Sequence, residues 1–117
     1  MAYEKFIKQR RIAKDRAMIT ILKFGQFGIN KVCTEKYFKK FKYVVMYFDK
    51  EQNKIGIQPT NDASNNDAYN INFIKNGTLA NISVKTFLKH FGISHEQSIS
   101  YPATWNDKDK LIEILLK

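Results

Sequence analysis

Apolar and polar side chains alternate with a period of two over several short stretches of this chain and switch to a helical period in only two places, a pattern that predicts an α+β, β-dominated fold. In Met18–Phe24, Ile19 and Ile21 share one face and Met18, Thr20 and Leu22 the other, which predicts a strand. Gly25 and Gly28 flank Gln26 and Phe27, so a turn or bulge is expected there. Counting from Thr34, the aromatic residues Tyr37, Phe38 and Phe41 recur at helical spacing, which predicts a short amphipathic helix capped by the Thr34 hydroxyl, with Lys36, Lys39 and Lys40 on the opposite face. The unbroken apolar run Tyr43–Phe48 reads as a strand covered on both sides and as the centre of the core. After a turn at Asp49–Asn53, Lys54–Gln58 returns with Ile55 and Ile57 inward, and Pro59, which has no N–H, is expected to end the ladder.

The polar stretch 60–67 reads as a linker, and a similar plan follows it. Tyr69, Ile71 and Phe73 alternate as in a half-buried strand; Asn76-Gly77 turns the chain; Leu79 and Ile82 lead into a helix capped by Ser83. Val84, Phe87, Leu88 and Phe91 form its inner face, and Gly92 ends it in the left-handed conformation. Ser98–Tyr101 and Leu111–Leu116 supply closing strands around the turn 106–109. Displaced by fifty residues, Leu79 falls on Ile29, Ile82 on Val32, Phe87 on Tyr37, Leu88 on Phe38 and Phe91 on Phe41. The chain therefore divides into an arm (1–17), a first unit (18–59), the linker (60–67) and a second unit (68–117), with the two units read as divergent copies.

Composition limits what such a fold can be asked to do. With 117 residues, 44% of them hydrophobic, the chain can bury one core without disulfides or metals. No apolar run is long enough to span a bilayer, and the charged start MAYEKFIKQRRIAKDR lacks the apolar centre of a signal peptide, so a cytoplasmic protein with no membrane partner is expected. The single Cys33 has no intrachain partner and reads as a small buried hydrophobe. Charge changes the picture more. Residues 1–42 hold twelve Lys or Arg against three acidic residues, which accounts for the whole net charge of +9, while the rest of the chain is neutral. A composition rich in lysine for its own sake would spread evenly, so the clustering suggests a polyanionic partner met by the first third.

The candidate contacts follow from that clustering. Lys8, Arg10, Arg11, Lys14 and Arg16 lie in an arm that is either a weak helix or disordered; Lys23, Lys31, Lys36, Lys39 and Lys40 extend the patch. Equally, a lysine face is often no more than solvated surface, and Tyr3, Phe6 and Ile7 in the arm could instead anchor it on a neighbouring subunit. Nothing points to catalysis, a cofactor or a small-molecule substrate. His90 and His95 have no acidic or cysteine partner at metal-ligand spacing, Cys33 has no local base, and Asp107 and Asp109 read as turn chemistry.

Gly25–Asn30, GQFGIN, followed by the helix ending at Phe41 and the strand Tyr43–Phe48, resembles the AbrB/MraZ-like swapped-hairpin (SpoVT-AbrB superfamily) DNA-binding family. A looser match runs from Gly77 to Ile93, where LKHFGI is similar to the family's helix end. The resemblance implies two tandem units closing one small swapped-hairpin barrel within a single chain, and a role in transcription regulation. Gln26 stands where the family often has arginine, Asn30 and Ser83 stand near its proline, and its DNA-touching arginines find no match here, so the resemblance bears on fold more than on contacts. The expected function is non-enzymatic binding of nucleic acid, double-stranded DNA favoured, through phosphates. The alternative is a structural or assembly protein, phage-type or homo-oligomeric, whose arm docks on a neighbour.

Overall fold

Ile19 and Ile21 turn inward from a strand whose alternate residues face out, and the same alternation recurs along the chain. The computed structural model describes residues 16–62, 64 and 67–116. In it the chain forms ten strands in two antiparallel five-stranded sheets, with two short helical segments. In order these are β1 (Met18–Leu22), β2 (Gln26–Ile29), α1 (Lys31–Cys33, continued by a π-turn over Thr34–Phe38), β3 (Tyr43–Asp49), β4 (Lys54–Thr60), β5 (Tyr69–Asn70), β6 (Asn72–Ile74), β7 (Leu79–Ser83), α2 (Lys85–His90), β8 (Ile99–Pro102), β9 (Thr104–Asn106) and β10 (Leu111–Leu115).

The first sheet runs β6-β7-β2-β1-β8 and the second β5-β3-β4-β10-β9. Each is built from two hairpins set back to back. β1–β2 meets β6–β7 through the β2·β7 pair, and β3–β4 meets β9–β10 through the β4·β10 pair. The turns match as well. Gly25 (φ 84°) donates its N–H to Leu22 O and Gly77 (φ 82°) donates to Ile74 O. Asp49 Oδ1 accepts from the N–H groups of Glu51 and Gln52, as Asn106 Oδ1 does from Lys108 and Asp109, and both turns leave through a residue at φ 56°, Asn53 and Lys110. These side-chain acceptors mimic a backbone turn, so two different residues do one job at equivalent places. β5 and β8 are the additions, one on each sheet edge.

The inward faces supply one core. Ile19, Ile21, Phe27, Ile29 and Ile82 come from the first sheet and Val44, Ile55, Ile57, Ile112 and Ile114 from the second; Phe38 and Leu88 contribute one helical plug each. Both ladders end in open edges, so the strands draw no closed barrel of the kind the resemblance implies.

Several expectations need correcting. Thr34 does not cap the first helix: Asn30 does, its Oδ1 accepting from Cys33 N at 3.0 Å, while Thr34 is buried in the π-turn and donates to Ile29 O. Ser83 belongs to β7, and α2 starts at Lys85, its N-cap position held by Val84 with no side-chain cap. Tyr43–Phe48 is not covered on both sides; Val44 alone is fully buried and Tyr47 is exposed, so the centre of the core is the β4·β10 pair. Pro59 does not end its strand but lies opposite Val44. The ladder from β10 stops at Ile57, so one side of β4 there needs no donor. The segment Tyr69–Phe73 is two strands in different sheets, hinged where Ile71 N donates to Lys42 O. Gly28 lies within β2, not in a turn, and β9 was not expected.

Candidate nucleic-acid interface

The site grows from Asn30. Its Oδ1 accepts from Met18 N at 3.1 Å as well as from Cys33 N, and its Nδ2 donates to Arg16 O at 2.7 Å. One side chain thus ties the entry of β1 to the start of α1. Cys33, Thr34 and Phe38 then point into the core, each fully buried. Lys39 N donates to Thr34 O at 2.9 Å, the five-residue step of a π-turn, and this wider turn brings Thr34 and Phe38 inward together. With the inner face taken, Lys31, Lys36, Lys39 and Lys40 are left on the surface, all exposed, with Glu35 as the acidic residue among them.

None of these four lysines is in an ion pair among the described residues. The ion pairs there are Lys54–Glu113 (3.6 Å) and Lys110–Asp107 (3.0 Å), both elsewhere. The cluster is therefore an uncompensated positive field rather than one side of an internal network. Arg16 is exposed where the chain enters beside Asn30, next to Lys31. Lys23 is separated from the others: it sits in the β1–β2 turn, at the far end of the hairpin from Asn30, near Ser94, His95 and the acidic Glu96. Lys8, Arg10, Arg11 and Lys14, and the alternative anchors Tyr3, Phe6 and Ile7, lie outside the described residues.

An aromatic cleft adjoins the lysine face, and sequence reasoning did not single it out. Tyr37 stacks on Trp105 from β9, with ring centres 6.0 Å apart and planes 13° from parallel. Lys36 Nζ lies 5.4 Å from the Tyr37 ring centre, close enough for a cation–π contact. Phe41, Pro59, Gln58 and Lys110 complete a cleft of about 490 Å³. The one available signal was that Trp105 is the only tryptophan of the chain. Its partner strand is not sequence-adjacent to the helix, so the contact is a product of the sheet order.

The remaining candidates do other things. Burial pushes the Cys33 thiol up to about 12, with nearby Lys36 pulling it down only partly, so this sulfur is no nucleophile near neutral pH. His90 is exposed and packs edge-on against Phe91; His95 Nδ1 lies 3.2 Å from Ile93 O. Asp107 pairs with Lys110 and Asn106 holds Asp109, as turn residues do. No helix of the described residues is long and apolar enough to cross a membrane. Comparison with protein-family models, with curated proteins and with solved structures gives no match for this chain.

Proposed function

We propose that this chain binds nucleic acid without chemistry of its own, gripping phosphates of double-stranded DNA with the basic first third. The observation that carries the reading is the exposed group Lys31, Lys36, Lys39 and Lys40, free of acidic partners among the described residues and flanked by Arg16. Lys8, Arg10, Arg11 and Lys14 would add further phosphate contacts, and Lys23 would act as an outlying contact at the other end of its hairpin. Lysine on phosphate gives affinity with little sequence readout, so strong binding and weak sequence preference belong together. A role in transcription regulation rests on the sequence resemblance of Gly25–Asn30 and the elements after it to swapped-hairpin DNA-binding proteins.

A second reading, assembly with further copies, draws on Phe24, 76% exposed at the tip of the β1–β2 hairpin. Titration with duplex DNA at low salt separates the two. Binding that weakens when Lys36, Lys39 and Lys40 become alanine supports the first. A large homo-oligomer by light scattering that ignores DNA supports the second.

A further inference from the structure

We propose that the Tyr37–Trp105 cleft takes an unpaired nucleobase, adding a single-strand contact beside the phosphate-gripping lysine face; this rests on the nucleic-acid reading above. The two halves are alike around their turns. Phe48 precedes the Asp49 turn as Trp105 precedes the Asn106 turn, and Phe48 packs on Phe91 of the second helical segment (5.1 Å) as Trp105 packs on Tyr37 of the first (6.0 Å). The surroundings of the two pairs differ. After α2 the chain runs on past Ile93 to Tyr101, both buried, and these form one wall of a cavity of about 390 Å³ that the half-buried Phe48 and Phe91 also line. After the first helical segment it enters β3 within a few residues, so no such wall exists and Trp105 is left 43% exposed.

The uncovered cleft has the chemistry of a base-binding platform. Nucleobases stack on flat aromatic faces irrespective of sequence, and single-strand binders pair such faces with cations that track the backbone. Here the rings lie nearly parallel, Lys36 stands over one of them, and Lys39 and Lys40 follow on the same short segment. Of the acidic groups nearby, Glu35 adjoins Lys36, and Asp107 pairs with Lys110 and accepts from Trp105 Nε1 at 3.4 Å, which orients the indole. An apolar peptide side chain would fill the cleft but leave those lysines without partners, so charge favours the nucleotide.

Because Trp105 is the only tryptophan, emission of the unmodified full chain excited at the red edge, where its six tyrosines do not absorb, reports this cleft. The chain is titrated at low salt with a thymidine oligonucleotide, a uridine oligonucleotide, a blunt duplex and inorganic polyphosphate. The proposal expects either single strand to quench Trp105 emission and polyphosphate to bind without quenching. It further expects Trp105→Leu to weaken single-strand binding on the order of ten-fold, with Trp105→Phe restoring most of it. If the duplex binds while neither single strand quenches, or if a folded Trp105→Leu chain binds single strands as tightly as the parent, the inference is overturned and the phosphate reading stands. Quenching by an apolar peptide but by no oligonucleotide would also overturn it. If no polyanion binds at all, both fall together.

Discussion

Asn30 and Gly25 show how much of this fold hangs on single positions. Asn30 holds three backbone groups at once, those of Arg16, Met18 and Cys33. Replacing it with alanine leaves donors and an acceptor without this partner, so Asn30→Ala should cost about 1–2 kcal/mol, read as a lower urea midpoint at unchanged slope. Gly25 and Gly77 both have φ near 80°, yet a Cβ at Gly25 would come within 2.8 Å of Lys85 Cβ and 3.1 Å of its Cα, whereas Gly77 faces open space. Gly77→Ala should therefore cost about 1 kcal/mol from backbone strain alone, and Gly25→Ala about 2–3 kcal/mol. Equal losses would show that the close approach to α2 does not matter. Cys33 makes a prediction about pH. Its thiol stays protonated in the folded chain up to about 12, against 9.0 when unfolded, so the stabilisation is complete below pH 9 and is lost as pH rises towards 12. Cys33→Ala should flatten that alkaline loss in thermal melts, and a thiol reagent at pH 8 should label the parent chain only after denaturation.

Among the elements, the first helical segment does most to connect structure with function, since burying Cys33, Thr34 and Phe38 is what turns four lysines outward. Each of them that touches a phosphate releases counterions, so a Lys36/Lys39/Lys40 to alanine chain should lose about one unit of salt slope per lysine in DNA titrations. An unchanged slope would mean these lysines are only solvated surface. The inward positions of this segment were legible from sequence because Phe38 and Phe41 repeat at helical spacing, as Val84 and Leu88 do, and Ile55 and Ile57 repeat at strand spacing. What failed were choices that neighbours make. Asn30 and Thr34 are both good caps, and only the pairing of β1 with β2, which brings Met18 to Asn30, selects the first. YVVMYF has the composition of a doubly covered strand, but no layer lies over Tyr47. The break between β5 and β6 depends on Lys42 O, a partner far away in sequence. The aromatic cleft was hidden for the same reason, since Tyr37 and Trp105 meet only through the order of the second sheet.

At the scale of the whole molecule, two sheets of back-to-back hairpins form a scaffold whose halves are alike in turns and pairing but not in charge. Among the described residues up to Lys42, Arg16, Lys23, Lys31, Lys36, Lys39, Lys40 and Lys42 face Glu35 alone, while from Tyr43 onward seven basic residues are met by eight acidic ones. Apart from Lys23, these cations gather around α1 and the entry of β1, and none of them is neutralised by an acidic side chain among the described residues. A scaffold cationic up to Lys42 and close to neutral beyond it is what the proposed polyanion contact at one end requires. Salt-dependent titration of the full chain with a short DNA duplex tests this most directly. The account predicts binding at low salt whose logarithm falls linearly and steeply with the logarithm of salt concentration, as several released counterions require. An absence of binding at low salt, or an affinity indifferent to salt, would contradict it.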